Sequence, residues 1–446
     1  MTLGPSRSPS IAPEITPPTA RPSGVGLERT RRTARLTQAV GTRAAASTLA
    51  GSAMWLVSSN LAYAACQWGT IVGLAKLGAP VTLGHLGLAL AIATPVVQLS
   101  GLGLRPMQAT DVVRRYAFVE YLYLRLAANL VAAGVIGAVA ALGVLEPAAV
   151  AILVPIGVAK LAEATSETCY GLAQRHERMR LVAVSRATRG AFGLVSLVTT
   201  VALGGTLAEG AWALAVAWTA FLLLVDLPAS GLLEPIFARP RRDALWRLAR
   251  ESAPLGGVNG LFAVGQNVPR YLLELSHGAA SVGYFTALSA VTPALSQFAS
   301  AVCHAAAPRL GRNAAGDSHR YRMLVLQLLG VAAVFGGMLV LGAALGGRRF
   351  LALAYDVDYA AYHATFVIAV AAGALAIVNE VLYYALLASR RPTLQLGIEC
   401  AALVVTAAGG LALIPRFGVG GAAVAAVAGA ASRAVLCGYF VLRWRR

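Results

Sequence analysis

The sequence predicts an all-α polytopic membrane protein, with twelve transmembrane helices in two six-helix bundles that repeat one another in the same orientation. Three observations predict it. The 446-residue chain is 58% hydrophobic and only 13% charged, with a mean hydropathy of +0.69, whereas a soluble chain keeps about a quarter of its residues charged. Apolar runs of about twenty residues, each long enough to cross ~30 Å of hydrocarbon, recur from Thr48 to the C-terminus. The chain also repeats itself without a gap: Asn60 aligns with Asn259, Gln67 with Gln266, Gly84 with Gly283, Leu56 with Leu255 and Thr82 with Ser281. A period of about 199 residues is far too long for a solenoid unit. It is that of one half of a membrane protein duplicated into the other, with a binding site expected between the halves.

Taken in order, residues 1–45 are rich in Pro, Ser, Thr and Arg and hold no apolar run, so they read as a disordered basic cytoplasmic tail rather than a secretory signal. Their cluster Arg29, Arg31, Arg32 and Arg35 is suited to anionic lipid heads or simply to fixing orientation. Twelve spans follow near 47–75, 82–105, 117–143, 147–172, 181–204, 208–231, 254–273, 281–306, 322–346, 362–388, 393–414 and 419–441. Helices are the element that satisfies a lipid-facing backbone within such long unbroken runs. Basic residues crowd the even-numbered connections, among them Arg105, Arg114, Arg115, Arg175, Arg178, Arg180, Arg239, Arg241 and Arg242. The odd-numbered connections hold Lys76, Arg270, Arg348, Arg349 and Arg416. This alternation predicts that both termini are cytoplasmic. Six helices per unit is an even number, so the repeat is parallel, with its pseudo-two-fold along the membrane normal. The expected division is an N-terminal bundle over 46–232, a basic amphipathic linker over 233–253 and a C-terminal bundle over 254–446. In the linker Leu245, Trp246 and Leu248 are placed to lie on the lipid surface, unless the segment is only an extension of the seventh helix.

A net charge of +18 raises nucleic acid as a partner. The Arg residues instead sit in short clusters between apolar runs, which argues against it. The five cysteines lack metal-type spacing and read as small core residues. No Walker loop, His cluster or long hydrophilic loop is present to build a catalytic site, so an enzyme is not expected.

The candidate binding groups lie inside the spans. Asn60 and Gln67, seven apart, share one helical face, and Asn259 and Gln266 repeat the arrangement. Such amides line a cavity and bind sugar hydroxyls, or act as glue between helices. Lys160, Glu163 and Glu167 stack on one stripe of the fourth helix, either as a neutralising pair or as a relay for a coupled proton or sodium ion. Arg125 and Glu120 add charge to the third helix, while Asp226, Glu380, Glu399 and Arg433 cannot be ranked from spacing alone. Arg270 follows Pro269, which is placed to bend its helix. The planar fork of Arg270 fits a phosphate, or pairs with Glu274 one turn on. Arg105 and Arg309 sit at the cytoplasmic ends of equivalent helices, where they meet an entering diphosphate or anchor at lipid heads. No cofactor is expected.

Four stretches, 77–105, 170–186, 267–298 and 347–362, resemble the polysaccharide flippases (Wzx-type O-antigen, capsule or exopolysaccharide exporters) of the MOP superfamily, related to the multidrug-and-toxin extruders. The resemblance runs over 47–441 and implies two six-helix bundles forming a V around a cationic cavity. It implies a location in the bacterial inner membrane, where an undecaprenyl-diphosphate-linked oligosaccharide is carried from the cytoplasmic to the outer leaflet by alternating access, for lipopolysaccharide or other surface-polysaccharide biosynthesis. Membrane lipids and polysaccharide polymerase machinery are then the expected partners. It matches Arg270 to the basic position of the seventh helix and Gly283 to a glycine of the eighth. Two departures matter: twelve spans argue against the fourteen-helix lipid II flippases, and the seventh helix lacks an acidic cation site. The alternatives are a cation-coupled drug antiporter and, from another class, a membrane glycan ligase or polymerase.

Overall fold

A computed structural model describes residues 54–443, apart from 56, 112–113, 317 and 389–391. The tail 1–45 with its arginine cluster, Leu56, and the side chain of Arg309 lie outside the described residues. Every long element among the described residues is helical. We number them α1 (57–77), α2 (Pro80–Ser100), α3 (Leu104–Thr110), α4 (Phe118–Ala141), α5 (Pro147–Arg175), α6 (Met179–Ala202), α7 (Leu207–Phe221), α8 (Leu227–Gly231), α9 (Arg242–Ser289), α10 (Val291–Gly316), α11 (Ser318–Ala354), α12 (Val357–Ala360), α13 (His363–Ala388) and α14 (Pro392–Leu442).

Local chemistry sets the helix starts. Proline opens α2 and α5, where its missing N–H leaves no intrahelical bond unmade. At the start of α7 the Glu209 N–H donates to Thr206 Oγ1 at 3.3 Å and the Thr206 N–H donates to Glu209 Oε2 at 2.7 Å, a reciprocal cap. A π-helical turn, Leu222–Asp226, joins α7 to α8 and turns Asp226 inward.

Two helices are too long for one crossing. At about 1.5 Å per residue the 51 residues of α14 would far exceed a bilayer, and so would the 48 of α9. Each turns back at a glycine of positive φ, Gly278 (73°) in α9 and Gly418 (53°) in α14. The second arm of α9 runs on into α10. The described residues thus make six passes before 232 (α1, α2, α4, α5, α6 and α7) and six after it: two arms of α9, the second with α10, then α11, α13 and two arms of α14. The chain is an all-α polytopic membrane protein. Among the described residues, eight helical segments are apolar enough to span by length and composition alone, and the charged α9 is not one of them. The backbone of α9 leaves helical geometry at Gly278, not at Pro269 where a bend was expected.

The repeat seen in the sequence is a symmetry of the packing. α2 and α9 pack against one another extensively. A Cβ on Gly84 would overlap the carbonyl oxygen of Ala279, and a Cβ on Gly283 would overlap that of Pro80. Pro80 and Ala279 are themselves equivalent under the repeat, as are Gly84 and Gly283. The contact is therefore isologous, i to j and j to i, and the pseudo-two-fold passes between the two glycines. One turn further along, Gly87 faces its own equivalent, Thr286. Only residues without a side chain let two backbones approach this closely inside a membrane.

The first turns of α9 correct one expectation. Leu248 does not lie on lipid: with Ala244 it is fully buried against Leu104, Tyr116 and Tyr121. Trp246, on the opposite face, is 73% exposed. At the same end Glu234 receives the Arg175 guanidinium and lies 3.1 Å from His176 Nε2. Burial pushes the Glu234 carboxyl up, but the His176 hydrogen bond and the Arg175 charge outweigh it and hold it below the usual carboxylate range.

Candidate functional site

The site is built around the stripe on α5. Lys160 Nζ lies 2.8 Å from Glu163 Oε2, and Arg189 Nη2 from α6 lies 3.2 Å from Glu163 Oε1. Tyr63 of α1 donates its hydroxyl proton to the same carboxylate. One turn on, Glu167 receives Arg105 of α3 and stands 3.8 Å from Arg189. Arg189 is fully buried, and its guanidinium lies against three rings, Tyr63 at 5.7 Å, Tyr170 at 5.4 Å and Trp218 at 5.3 Å. Asp226 closes the cluster from behind, accepting from Ser185 and, at 3.4 Å, from Tyr170.

Arg186, one residue from Ser185, carries the network across to the second half. Its Nη1 donates to Asn60 Oδ1 at 2.7 Å and its Nη2 to Gln297 Oε1 of α10 at 3.0 Å, with the Tyr63 ring under it at 4.8 Å. Further along α1, Trp68 Nε1 donates to the Tyr355 hydroxyl at 3.1 Å, which donates to the Ala287 carbonyl at 2.9 Å. The halves are thus tied at two levels of α1.

The predicted residues divide accordingly. Lys160, Glu163 and Glu167 come together, joined by Arg105. Asn60 is buried in the Arg186 bridge, and Gln67 donates to the Tyr63 hydroxyl at 3.0 Å. Arg125, 4% exposed, is used up locally: its Nη2 donates to the Gly101 carbonyl at the C-terminal end of α2 at 2.8 Å, and its Nε to Thr168 Oγ1 of α5 at 3.2 Å. Asn259 and Gln266 stand half-buried on α9 with no hydrogen-bond partner among the described residues, so the four amides do not act alike.

Arg270 shares the Asn259–Gln266 face of α9, at spacings of seven and four. It is not paired with Glu274. After the turn at Gly278 the chain returns beside it, and its three nitrogens donate to Asn267 Oδ1 (2.8 Å), Thr286 Oγ1 (3.3 Å) and Ser289 Oγ (3.0 Å). All three acceptors are neutral. Thr286 also faces Gly87 at the two-fold, so this guanidinium sits beside the joint of the halves. Arg433, deeper in the second half, is by contrast neutralised by Glu399 at 2.9 Å.

A cavity of about 190 Å³ opens between the halves, walled by Leu61, Ala65 and Trp68 of α1 and by Val291, Phe350 and Phe366 across from them. Its walls are apolar, and none of the predicted site residues lines it. The wet, amide-lined gap expected from the sequence is therefore not this space: the polar faces are drawn together through Arg186.

Arg186, Arg189, Tyr63 and Tyr170 join the site without having been among the residues expected from the sequence. A signal existed for the first two, a pair of arginines three apart inside an apolar run.

No family model matches the sequence, and no curated protein matches it. Solved structures do match. A mutant of the Vibrio cholerae MATE transporter VcmN superposes with a TM-score of 0.63 at 11% identity, covering 90% of this chain and 97% of that one. A multidrug resistance MATE family transporter in its inward-facing conformation matches with a TM-score of 0.58 at 13% identity, over 87% of this chain and 93% of that one. The fold is that of the MATE transporters of the MOP superfamily. Another MOP superfamily transporter with this fold, from Pyrococcus furiosus and described for the reverse polarity of its binding pocket, matches at 0.57 with 13% identity, over 87% and 94% of the two chains. Within the MATE fold, the Gly84–Gly283 crossing and Arg270 lie where the two lobes of this chain meet.

Proposed function

We propose that this chain is a flippase of the bacterial inner membrane, carrying an undecaprenyl-diphosphate-linked oligosaccharide across the bilayer by alternating access of its two halves. The observation that supports this cargo is Arg270: a guanidinium at the joint of the halves, held in place by three neutral oxygens and left without a carboxylate. Neutral acceptors orient the fork but do not balance its charge, so an anion completes the site, and a diphosphate fits the fork. Asn259 and Gln266, on the same face, offer unspent amide groups to sugar hydroxyls. The polyprenyl chain stays in lipid while the head group crosses. Glu163 or Glu167 couples the cycle to protons or sodium ions, and polysaccharide polymerase machinery receives the product.

A second reading, a cation-coupled drug antiporter, is favoured by the fold shared with multidrug transporters and by the carboxylates of α5. One experiment separates them. Vesicles containing the purified protein are given a labelled lipid-linked oligosaccharide or a cationic dye, with and without imposed proton or sodium gradients. The glycan is expected to cross and the dye not. Arg270→Gln is expected to lower glycan translocation about tenfold or more, the equivalent of one charge-assisted phosphate contact worth at least ~1.4 kcal/mol. Dye transport without glycan transport reverses the reading. Unchanged gradient dependence in both Glu163→Gln and Glu167→Gln removes the coupling role from these carboxylates.

A further inference from the structure

The start of α9 has two faces with different fates. Ala244 and Leu248 are buried against Leu104, Tyr116 and Tyr121 of the first half. Flanking them, Arg241 Nε lies 2.8 Å from Glu120 Oε1, and Arg115 lies 3.9 Å from Glu251. The segment is therefore fastened to the first half by one face. On the opposite face Arg242, Trp246 and Arg250 follow at i, i+4 and i+8, and all three are exposed.

Most charges nearby are already spent, Arg247 on Asp243 at 2.6 Å and Arg241 on Glu120. Arg239, Arg242 and Arg250 have no carboxylate partner among the described residues. Between and beside them stand large rings with nothing on them: Trp246 at 73% exposure and Phe237 at 93%. Leu224, in the π-helical turn, and Leu232, just past α8, are 75% and 89% exposed, so large bare apolar side chains lead directly into this basic segment. The same end of the bundle carries a second pairing of this kind, Arg180 over the half-exposed ring of Trp55 at 5.8 Å. Rings next to unpaired guanidiniums, beside bare apolar side chains, match the boundary layer of a bilayer, where indoles rest at head-group level and arginines meet phosphates. A soluble acidic partner would complement the charge but not the rings at that level.

We infer that the Arg242–Trp246–Arg250 face of α9, with Phe237 and Arg239, binds the head groups of anionic phospholipid. The inference holds whatever the cargo is. It also has a mechanical consequence, because the helix that begins at this face continues unbroken to Asn259, Gln266 and Arg270. Anionic lipid thus grips the root of the helix that bears the second half's site.

The full-length protein, reconstituted in phosphatidylcholine containing brominated phosphatidylglycerol or, separately, brominated phosphatidylcholine, tests this. The emission of Trp246 is isolated by difference from Trp246→Phe. Phosphatidylglycerol is expected to quench it well beyond phosphatidylcholine at equal bromine content. Arg242→Gln together with Arg250→Gln is expected to weaken the phosphatidylglycerol preference roughly fivefold per guanidinium, ~25-fold for the pair. High salt acts in the same direction. Both arginines are exposed, so the variants keep the fold, and an unchanged thermal melt verifies it. Equal quenching by the two lipids, a preference that survives the double substitution, or a Trp246 quenched by neither lipid overturns the inference.

Discussion

Replacing Arg189 with leucine is expected to destabilise the protein by about 3 kcal/mol, the low end of the cost of breaking a buried ion pair, because both carboxylates keep another partner and lose only the charge they share. Arg189 is shared by Glu163 at 3.2 Å and Glu167 at 3.8 Å, and it is fully buried. Lys160, Tyr63 and Arg105 remain in the variant, but each serves one carboxylate, so the charge common to both is gone. Leucine also cannot hold the positions against the rings of Tyr63, Tyr170 and Trp218 that a planar cation occupies. Arg189→Lys is expected to recover part of the loss, since a point charge cannot span two carboxylates. A double-mutant cycle with Glu163→Gln, followed by thermal unfolding in detergent, checks this: the second substitution should cost less in the Arg189→Leu background than in the wild type. Strictly additive effects would place the stabilisation outside the ion pair.

The second large effect is expected at the pseudo-two-fold. A methyl group at Gly84 or Gly283 overlaps backbone, not a side chain that could turn away. Each Gly→Ala change should therefore push α2 and the second arm of α9 apart, costing about 1–3 kcal/mol or more as overpacking. Because the contact is reciprocal, the two variants should lose thermal stability and translocation to similar extents. Gly134→Ala and Gly137→Ala are the controls: both glycines lie in α4 with open space where the methyl would go, and a stabilisation of up to ~1 kcal/mol is expected from better helix propensity. Tm values of the four variants decide it. A harmless Gly84→Ala would mean that the halves do not meet there.

Much of the architecture was legible, because it is carried by long-period signals. Apolar runs, alternating basic connections and the offset that pairs Gly84 with Gly283 all survive in a single sequence. The offset aligns these two glycines; that they meet at the axis is seen only in the packing. The Lys160–Glu163–Glu167 stripe was legible too, since helical spacing puts all three on one face of α5. What closes around it was not. Tyr63, Arg105 and Arg189 come from three other helices, and spacing along a chain carries no information on which helices become neighbours. Arg186 and Arg189 were hidden for a further reason: charge counting looks at connections, and these arginines lie within a span. Arg270 illustrates the opposite error. Four residues separate it from Glu274, the spacing of a helical ion pair. The turn at Gly278, however, brings Thr286 and Ser289 back alongside, and the guanidinium takes them instead. Leu248 and Trp246 point to opposite sides of α9, and the burial of Leu248 is not legible locally because its partners Leu104, Tyr116 and Tyr121 are distant in sequence.

If cargo passes between the two halves, as proposed, the halves must part at the Arg186 bridge. Asn60 and Gln297 both bond to Arg186 and are therefore within reach of one another. In a background with Cys66, Cys169, Cys303, Cys400 and Cys437 replaced, Asn60→Cys and Gln297→Cys can be joined by a short reducible thiol cross-linker, and translocation of labelled lipid-linked oligosaccharide measured before and after reduction. Translocation at background level while joined, restored when the link is cut, is the predicted result. Translocation at the uncross-linked rate in the joined protein would contradict it.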